Sequence, residues 1–230
     1  MTEVGELAAL EESLRRRYRV ATSDIRFGDR TISILHPENA EELIDETDFE
    51  RDERLPYWAD LWPSSRVLAG HVLGLRGDRR SLLELGCGCG LVATCASIAG
   101  FDVVASDYYE DAIRFARVNA KRNGAPSVRG RMFDWRQLPT DLERFDMVLA
   151  SDVLYERPYG ALMSKVLARA LDGSGVAIVA DPGRVGRDEF LRSLEPNDLA
   201  LTGRTEYPFA DGQIRQTITL LEIARFQFAK

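Results

Sequence analysis

Three glycines at alternate positions, Gly86, Gly88 and Gly90, follow directly on Leu82-Leu83-Glu84-Leu85 and lead into a helical stretch from Leu91. Such a loop turns sharply and lets a ligand approach the backbone with no Cβ in the way. The helix beyond it presents free N–H groups. A dinucleotide fingerprint would place its third glycine, or an alanine, at position 91, where this chain has Leu91. The spacing therefore disfavours a pyrophosphate and suits a ligand whose amino-acid part and sulfonium lie over the loop. Asp107, at the end of the next expected strand, can accept both hydroxyl hydrogens of a ribose. Its structural alternative is to cap the helix that begins near Tyr109. One strand further on, Asp134 offers a carboxylate to an adenine amino group and Trp135 an aromatic face to its ring, although Phe133 and Trp135 also suit plain packing.

A second group stands after the apolar strand expected at residues 146–150, where Asp152 and Tyr155 are three residues apart. In an open α/β sheet ligands sit at the carboxyl ends of strands, and a turn there brings both side chains to one side. The alternative is that Asp152 caps a turn and Tyr155 fills the core beneath Pro158. The three cysteines, Cys87, Cys89 and Cys95, are spaced for neither a disulfide framework nor a two-pair zinc site, and read as small residues packing a tight loop. With only His36 and His71, histidine-based metal or triad chemistry has little to draw on.

The elements that must position these residues alternate. Strands are expected at 81–85, 102–106, 127–131, 146–150 and 176–180, with helices near 91–99, 109–123 and 159–171. That order predicts a mostly parallel sheet covered on both faces. Residues 198–205 and 214–223, joined through Pro208 and Asp211-Gly212, form an antiparallel pair closing one edge. Ahead of this core, Val4, Leu7, Leu10 and Leu14 predict an amphipathic helix over residues 3–19, and Ile25, Phe27, Ile32 and Ile34 alternate about Gly28-Asp29 as a short hairpin. Residues 55–63, Leu-Pro-Tyr-Trp-Ala-Asp-Leu-Trp-Pro, lead into a helix over 64–73. The division expected is an N-terminal extension, 1–54, and a ligand-binding domain, 55–230.

At 230 residues, 45% hydrophobic and 29% charged, the chain belongs with soluble globular proteins, and it has no stretch of the roughly 20 apolar residues that a membrane span needs. Its start lacks a secretory leader pattern, which predicts a cytoplasmic setting. The net charge of -7 is concentrated between residues 38 and 53, where nine acidic residues face one basic residue. That balance argues against non-specific nucleic-acid binding. The run is either a solvated face or an electrostatic guide for a basic acceptor.

Leu-Glu-Leu-Gly-Cys-Gly-Cys-Gly-Leu, Ala-Ser-Asp-Tyr-Tyr-Glu-Asp-Ala and Leu-Ala-Ser-Asp-Val-Leu-Tyr together resemble the class I, seven-β-strand S-adenosylmethionine-dependent methyltransferases. The resemblance is to the group that holds protein-lysine methyltransferases and nicotinamide N-methyltransferase-like bacterial proteins, and it covers about residues 55–223. It implies a Rossmann-like α/β fold, with seven strands, an antiparallel edge strand and helices on both faces, and with S-adenosylmethionine along the carboxyl edge. The residues assigned to the cofactor are Trp62, Glu84, Gly86, Gly88, Gly90, Asp107, Tyr108, Asp134, Trp135 and Ser151. Asp152 and Tyr155 match the group's Asp-x-x-Tyr motif and are assigned to the methyl acceptor. Cys89 departs from the threonine or serine common at its place, so a hydroxyl contact to the cofactor is missing. The acceptor implied is a protein side-chain nitrogen, that of lysine, with a small molecule as the alternative. A lysine with an ordinary pKa near 10.4 must lose a proton to become a nucleophile, which an apolar aromatic pocket favours by desolvation, while faces of Tyr57, Trp58 or Tyr155 would in addition attract cationic groups. Leu91 disfavours a nicotinamide-dependent oxidoreductase, and the presence of Asp152 and Tyr155 disfavours a non-catalytic module.

Overall fold

The computed structural model describes residues 3–40, 43, 56–126 and 128–226. Most of the acidic run falls outside them. A helix, α1 (Glu3–Arg17), leads into a hairpin of β1 (Val20–Phe27) and β2 (Arg30–Pro37). A short 3₁₀ turn (Tyr57–Ala59) then precedes α2 (Pro63–Leu73), with Pro63 in the first turn as expected. The alternating region follows: β3 (Ser81–Leu85), α3 (Leu91–Ile98), β4 (Asp102–Asp107), α4 (Glu110–Arg122), β5 (Val128–Met132), β6 (Phe145–Ser151), α5 (Arg157–Ala170) and β7 (Leu171–Asp181). After α6 (Arg187–Arg192), β8 (Leu199–Asp211) and β9 (Ile214–Arg225) complete the chain.

Seven strands form one sheet in the order β5-β4-β3-β6-β7-β9-β8. The first five run parallel, and β9 is antiparallel to both β7 and β8. The expected antiparallel pair does close one edge; the strand that runs against the rest is β9, and β8 is the outermost. Strand alternation divides the interior in two, as the period of two requires. Leu82, Met147, Leu149 and Ile178 face the helices α1–α4 and the hairpin. Leu83, Leu85, Val148 and Val179 face α5 and α6.

The hairpin is longer than expected and shares the first of these cores through Ile25, Ile32, Ile34 and Leu35. Its outer edge is closed by side chains. Asn119 on α4 accepts the Leu35 N–H at 2.7 Å and donates to the Leu35 carbonyl at 2.7 Å. One turn on, Asn123 accepts the Ser33 N–H at 2.8 Å and donates to the Ser33 carbonyl at 2.9 Å. Four helical residues rise roughly 6 Å and two strand residues about 6.7 Å, so asparagines at i and i+4 meet alternate residues of a strand. Asn119 also donates to the Cys89 carbonyl at 2.8 Å, tying the hairpin to the glycine loop.

The β8–β9 hairpin runs past the end of β7: Asp181 pairs with Thr219, while Tyr207 to Asp211 pair further out with Ile218 to Ile214. This projecting end packs on α2, with Arg66 5.3 Å from the Phe209 ring centroid and paired with Asp211. Among the described residues no helix is long and apolar enough to cross a membrane.

Candidate active site

The carboxyl ends of β3 to β7 open into a cavity of about 650 Å³, closed on its other side by residues 57–65. Gly86 adopts φ +70°, where a side chain would be strained, and a Cβ there would stand 3.4 Å from both the Trp135 indole and Val153, inside the cavity. At Gly88 a Cβ would come within 2.8 Å of the Trp58 carbonyl, so the loop and the residue 57–63 segment touch backbone to backbone. The Cys89 thiol adds to this contact, donating to the Trp58 carbonyl at 3.5 Å.

Asp107, 6% exposed, accepts the Gly88 N–H on Oδ2 at 3.0 Å and the Tyr109 N–H on Oδ1 at 3.1 Å. The same carboxylate therefore shapes the loop, closes the turn into α4 and faces the cavity. Asp134 lines the cavity and is held by Arg136, with Nη2 to Oδ2 at 2.7 Å and Nε to Oδ2 at 2.9 Å. Trp62, Gly86, Gly88, Tyr108, Trp135, Ser151, Asp152 and Tyr155 also line it.

Glu84 and Gly90, by contrast, do not line the cavity. Glu84 is 1% exposed beneath the loop, where its Oε2 has no partner among the described residues. Desolvation pushes its carboxyl well above the ordinary range and the Asp107 charge adds to this, against a hydrogen bond from the Ala93 backbone. Gly90 abuts α4, where a Cβ would fall 2.4 Å from Ala116 Cα. Both residues support the loop from behind.

Burial, reinforced by Asp107, also raises the Cys87 and Cys89 thiols well above their usual range, and the Cys95 thiol is pushed up to about 12. They stay protonated, as packing residues should. Among the described residues no cluster of three metal-ligating side chains occurs.

Next to the glycine loop, where β6 ends, Asp152 has φ +60°, and its N–H donates to the Ala180 carbonyl at 2.9 Å. Its buried carboxylate accepts the Ser64 hydroxyl on Oδ2 at 3.0 Å and Arg184 Nε on Oδ1 at 2.5 Å. Tyr155 joins a run of packed rings that extends from Trp62 to Trp135: Trp62 to Tyr57 at 5.8 Å, Tyr57 to Tyr155 at 5.6 Å, Tyr155 to Tyr159 at 5.0 Å and Tyr159 to Trp135 at 5.9 Å between centroids. Trp58 lines the cavity as well but packs chiefly on Phe115, Tyr18 and Tyr109.

Sequence reasoning missed Arg184, Tyr159 and Ser64. A usable signal existed for Arg184. Asp181-Pro182-Gly183-Arg184 stands at the carboxyl end of the next parallel strand, the position that singled out Asp152.

A model of the lysine methyltransferase family matches residues 57–197, more than half of the chain. The chain belongs to that family. Its match spans the residue 57–63 segment, the glycine loop, Asp107, Asp134, Asp152, Tyr155 and Arg184, and leaves out both hairpins. Curated relatives include the "electron transfer flavoprotein beta subunit lysine methyltransferase" of Danio rerio, 29% identical over 56% of this chain and 51% of that protein. The Xenopus laevis protein of the same name is 29% identical over 61% of this chain and 59% of its own length. The chain thus spans little more than half the length of these relatives. Among solved structures, magnesium protoporphyrin IX methyltransferase from Synechocystis PCC 6803, with bound SAM, covers 80% of this chain at a TM-score of 0.58 and 20% identity. A TehB-like SAM-dependent methyltransferase from Corynebacterium glutamicum covers 79% at 0.55 and 20%. At such identity the likeness is one of fold, Rossmann-like as expected.

Proposed function

We propose that this chain transfers a methyl group from S-adenosylmethionine to the side-chain nitrogen of a lysine in a protein. The observation that carries the reading is one cavity lined by two unlike groups: a glycine loop clasped by Asp107, and a buried carboxylate, Asp152, beside a wall of aromatic rings. Family membership and the names of the curated relatives support the acceptor. The loop fits the cofactor because a Cβ at Gly86 would occupy the cavity itself. When bound, S-adenosylmethionine supplies an electrophilic methyl group on a sulfonium.

In this reading Gly86, Gly88 and Asp107 hold the amino-acid and ribose parts, and Asp134 with Trp135 holds the adenine. Tyr108 adds to the cofactor side, and Trp62, beside Arg184, and Ser151, next to Asp152, stand where cofactor and acceptor meet. Asp152 accepts a hydrogen bond from the amine and fixes the direction of its lone pair, while Tyr155 and its neighbouring rings exclude water. Alignment of the reacting groups supplies most of the acceleration such chemistry needs. A basic acceptor and a cytoplasmic setting belong to the same reading, supported by the carboxylates that line the cavity and by the unpaired thiols.

Incubation with methyl-labelled S-adenosylmethionine and a cell extract, followed by hydrolysis of the labelled protein, should yield methyllysine. Label confined to small molecules would make the acceptor a metabolite, and acidic residues flanking the labelled lysine would remove the charge argument. Asp152→Asn and Tyr155→Phe should each lower kcat/KM for the acceptor at least tenfold, about 1.4 kcal/mol, with the dissociation constant of the demethylated cofactor unchanged. Loss of that binding would take both residues out of the acceptor site.

A further inference from the structure

Arg184 is the sole lysine or arginine among the described residues that line the cavity, where five carboxylates, Asp60, Asp107, Asp134, Asp152 and Glu156, also stand. A carboxylate close to an amine favours its charged form, so such a lining would hold an incoming lysine as the ammonium, which has no lone pair to give. Arg184 opposes this. Its Nε donates to Asp152 at 2.5 Å, and its guanidinium carbon lies 5.3 Å from the Trp62 ring centroid. Its backbone N–H donates to Asp181 at 3.3 Å, and Asp181 is fully buried and paired with Arg187. The cation is therefore fixed in place rather than carried on a free arm, and an arginine keeps its charge at every accessible pH.

We infer that Arg184 sets the protonation of the acceptor: paired with Asp152, its fixed positive charge favours the neutral, nucleophilic lysine amine over the ammonium on the acceptor side of the cavity. The inference rests on the lysine-acceptor reading above. The ammonium releases one proton to water, and its nitrogen keeps the electron pair. Asp152, already bonded to Arg184 and Ser64, then orients the amine through its remaining lone pairs without presenting an uncompensated negative charge. Arg184 is thus a positioning residue. The other charged or titratable groups on this side are Asp60 and Tyr57 before α2, and Tyr155, Glu156 and Tyr159 after β6. Asp181 at the end of β7 pairs with Arg187 of α6 close by, while Asp107 is tied to the glycine loop and Asp134 is neutralised by Arg136.

The test uses the full chain, S-adenosylmethionine and a library of heptapeptides with a central lysine and randomised flanks, with kcat followed against pH. kcat reports ionisation in the bound complex, whereas kcat/KM also follows the free peptide. In Arg184→Gln the rising limb should move to higher pH by about 1 unit, the usual effect of one neighbouring charge. At pH 7 kcat then falls about tenfold while KM holds or drops, because the ammonium is now held better. Arg184→Lys should keep the wild-type limb. Calorimetry of the demethylated cofactor should give the same dissociation constant in all three proteins. If Arg184→Gln melts, Arg184→Met, which keeps the stem over Trp62, makes the same comparison. An unshifted limb, or equal shifts in the lysine and glutamine variants, would overturn the role of Arg184 and leave the lysine reading standing. No label on any peptide with the wild-type chain would overturn both.

Discussion

Asp107 and Glu84 are both buried carboxyl groups near one loop, yet their surroundings give them opposite properties. Asp107 has two backbone donors and faces the cavity, whereas Glu84 has an oxygen without a partner and lies under the loop. Asp107→Ala should therefore weaken cofactor binding by roughly 1.5–3 kcal/mol, the range for hydrogen bonds to a charged group, and titration calorimetry measures it. For Glu84 the effect is on stability. Its folded carboxyl titrates above the value of 4.5 expected when exposed, so the folded state keeps a proton that the unfolded chain releases, and stability falls as pH rises from 4.5 towards the folded value. Glu84→Gln removes the penalty. Thermal melts of the two proteins should coincide near pH 4 and separate in favour of the variant towards pH 8. The site was legible where chemistry is local: glycine spacing, a carboxylate at a strand end, and Asp-x-x-Tyr within one turn. Glu84 was misplaced because strand parity sends it with Leu82 to the face covered by α1–α4, away from the cavity, and a run as apolar as Leu82-Leu83-Glu84-Leu85, buried on both faces, carries no alternation to reveal which side that is. Arg184 stands after a strand end as Asp152 does and was legible as a site residue on that ground; only its pairing with Asp152, 32 residues away in the chain, was not.

At the scale of elements, α4 does the work of an extra strand. Replacing Asn119 by alanine strands the Leu35 N–H, the Leu35 carbonyl and the Cys89 carbonyl, all buried. Each such orphan costs about 1–3 kcal/mol, so a loss of about 3 kcal/mol or more is expected in urea denaturation. The cofactor's dissociation constant should rise as well, since the glycine loop loses its tie to α4. Asn123→Ala, at a half-buried position, should cost about 1 kcal/mol. Most strands and helices of the core were readable to within a few residues because the helices carry their own period and the buried strands stand out as short apolar runs between glycines and polar turns; β7 begins five residues earlier than expected, at Leu171. The six residues of α6 are too few to show a period. The outer half of β8 was underestimated for another reason: its exposed residues, with Pro208 among them, look like loop, whereas β9 starts at Ile214 as expected.

Across the whole molecule the order in which strands are made differs from the order in which they lie. β7 carries the apolar run Val176-Ala177-Ile178-Val179-Ala180, and its open edge is covered by β9, whose residues pairing with that run, Leu220 to Ala224, come forty or more positions later in the chain. The stretch that matches the family ends at residue 197, before either of the last two strands. A protein trimmed to that limit would keep every residue assigned here to cofactor and acceptor. It would nonetheless lose Ile218, Leu220, Leu221 and Ile223, each at most 1% exposed and each contributing roughly 1.5–3 kcal/mol by burial, a sum comparable with the entire stability of an ordinary domain, about 5–15 kcal/mol. It would also bare the apolar edge from Val176 to Ala180, of the kind that recruits other chains. Expression of residues 1–197 should give aggregate rather than soluble enzyme, read as the fraction left in the supernatant after centrifugation, and so the same edge sets a hazard for every nascent chain: until residue 224 leaves the ribosome, the finished half of the sheet is sticky.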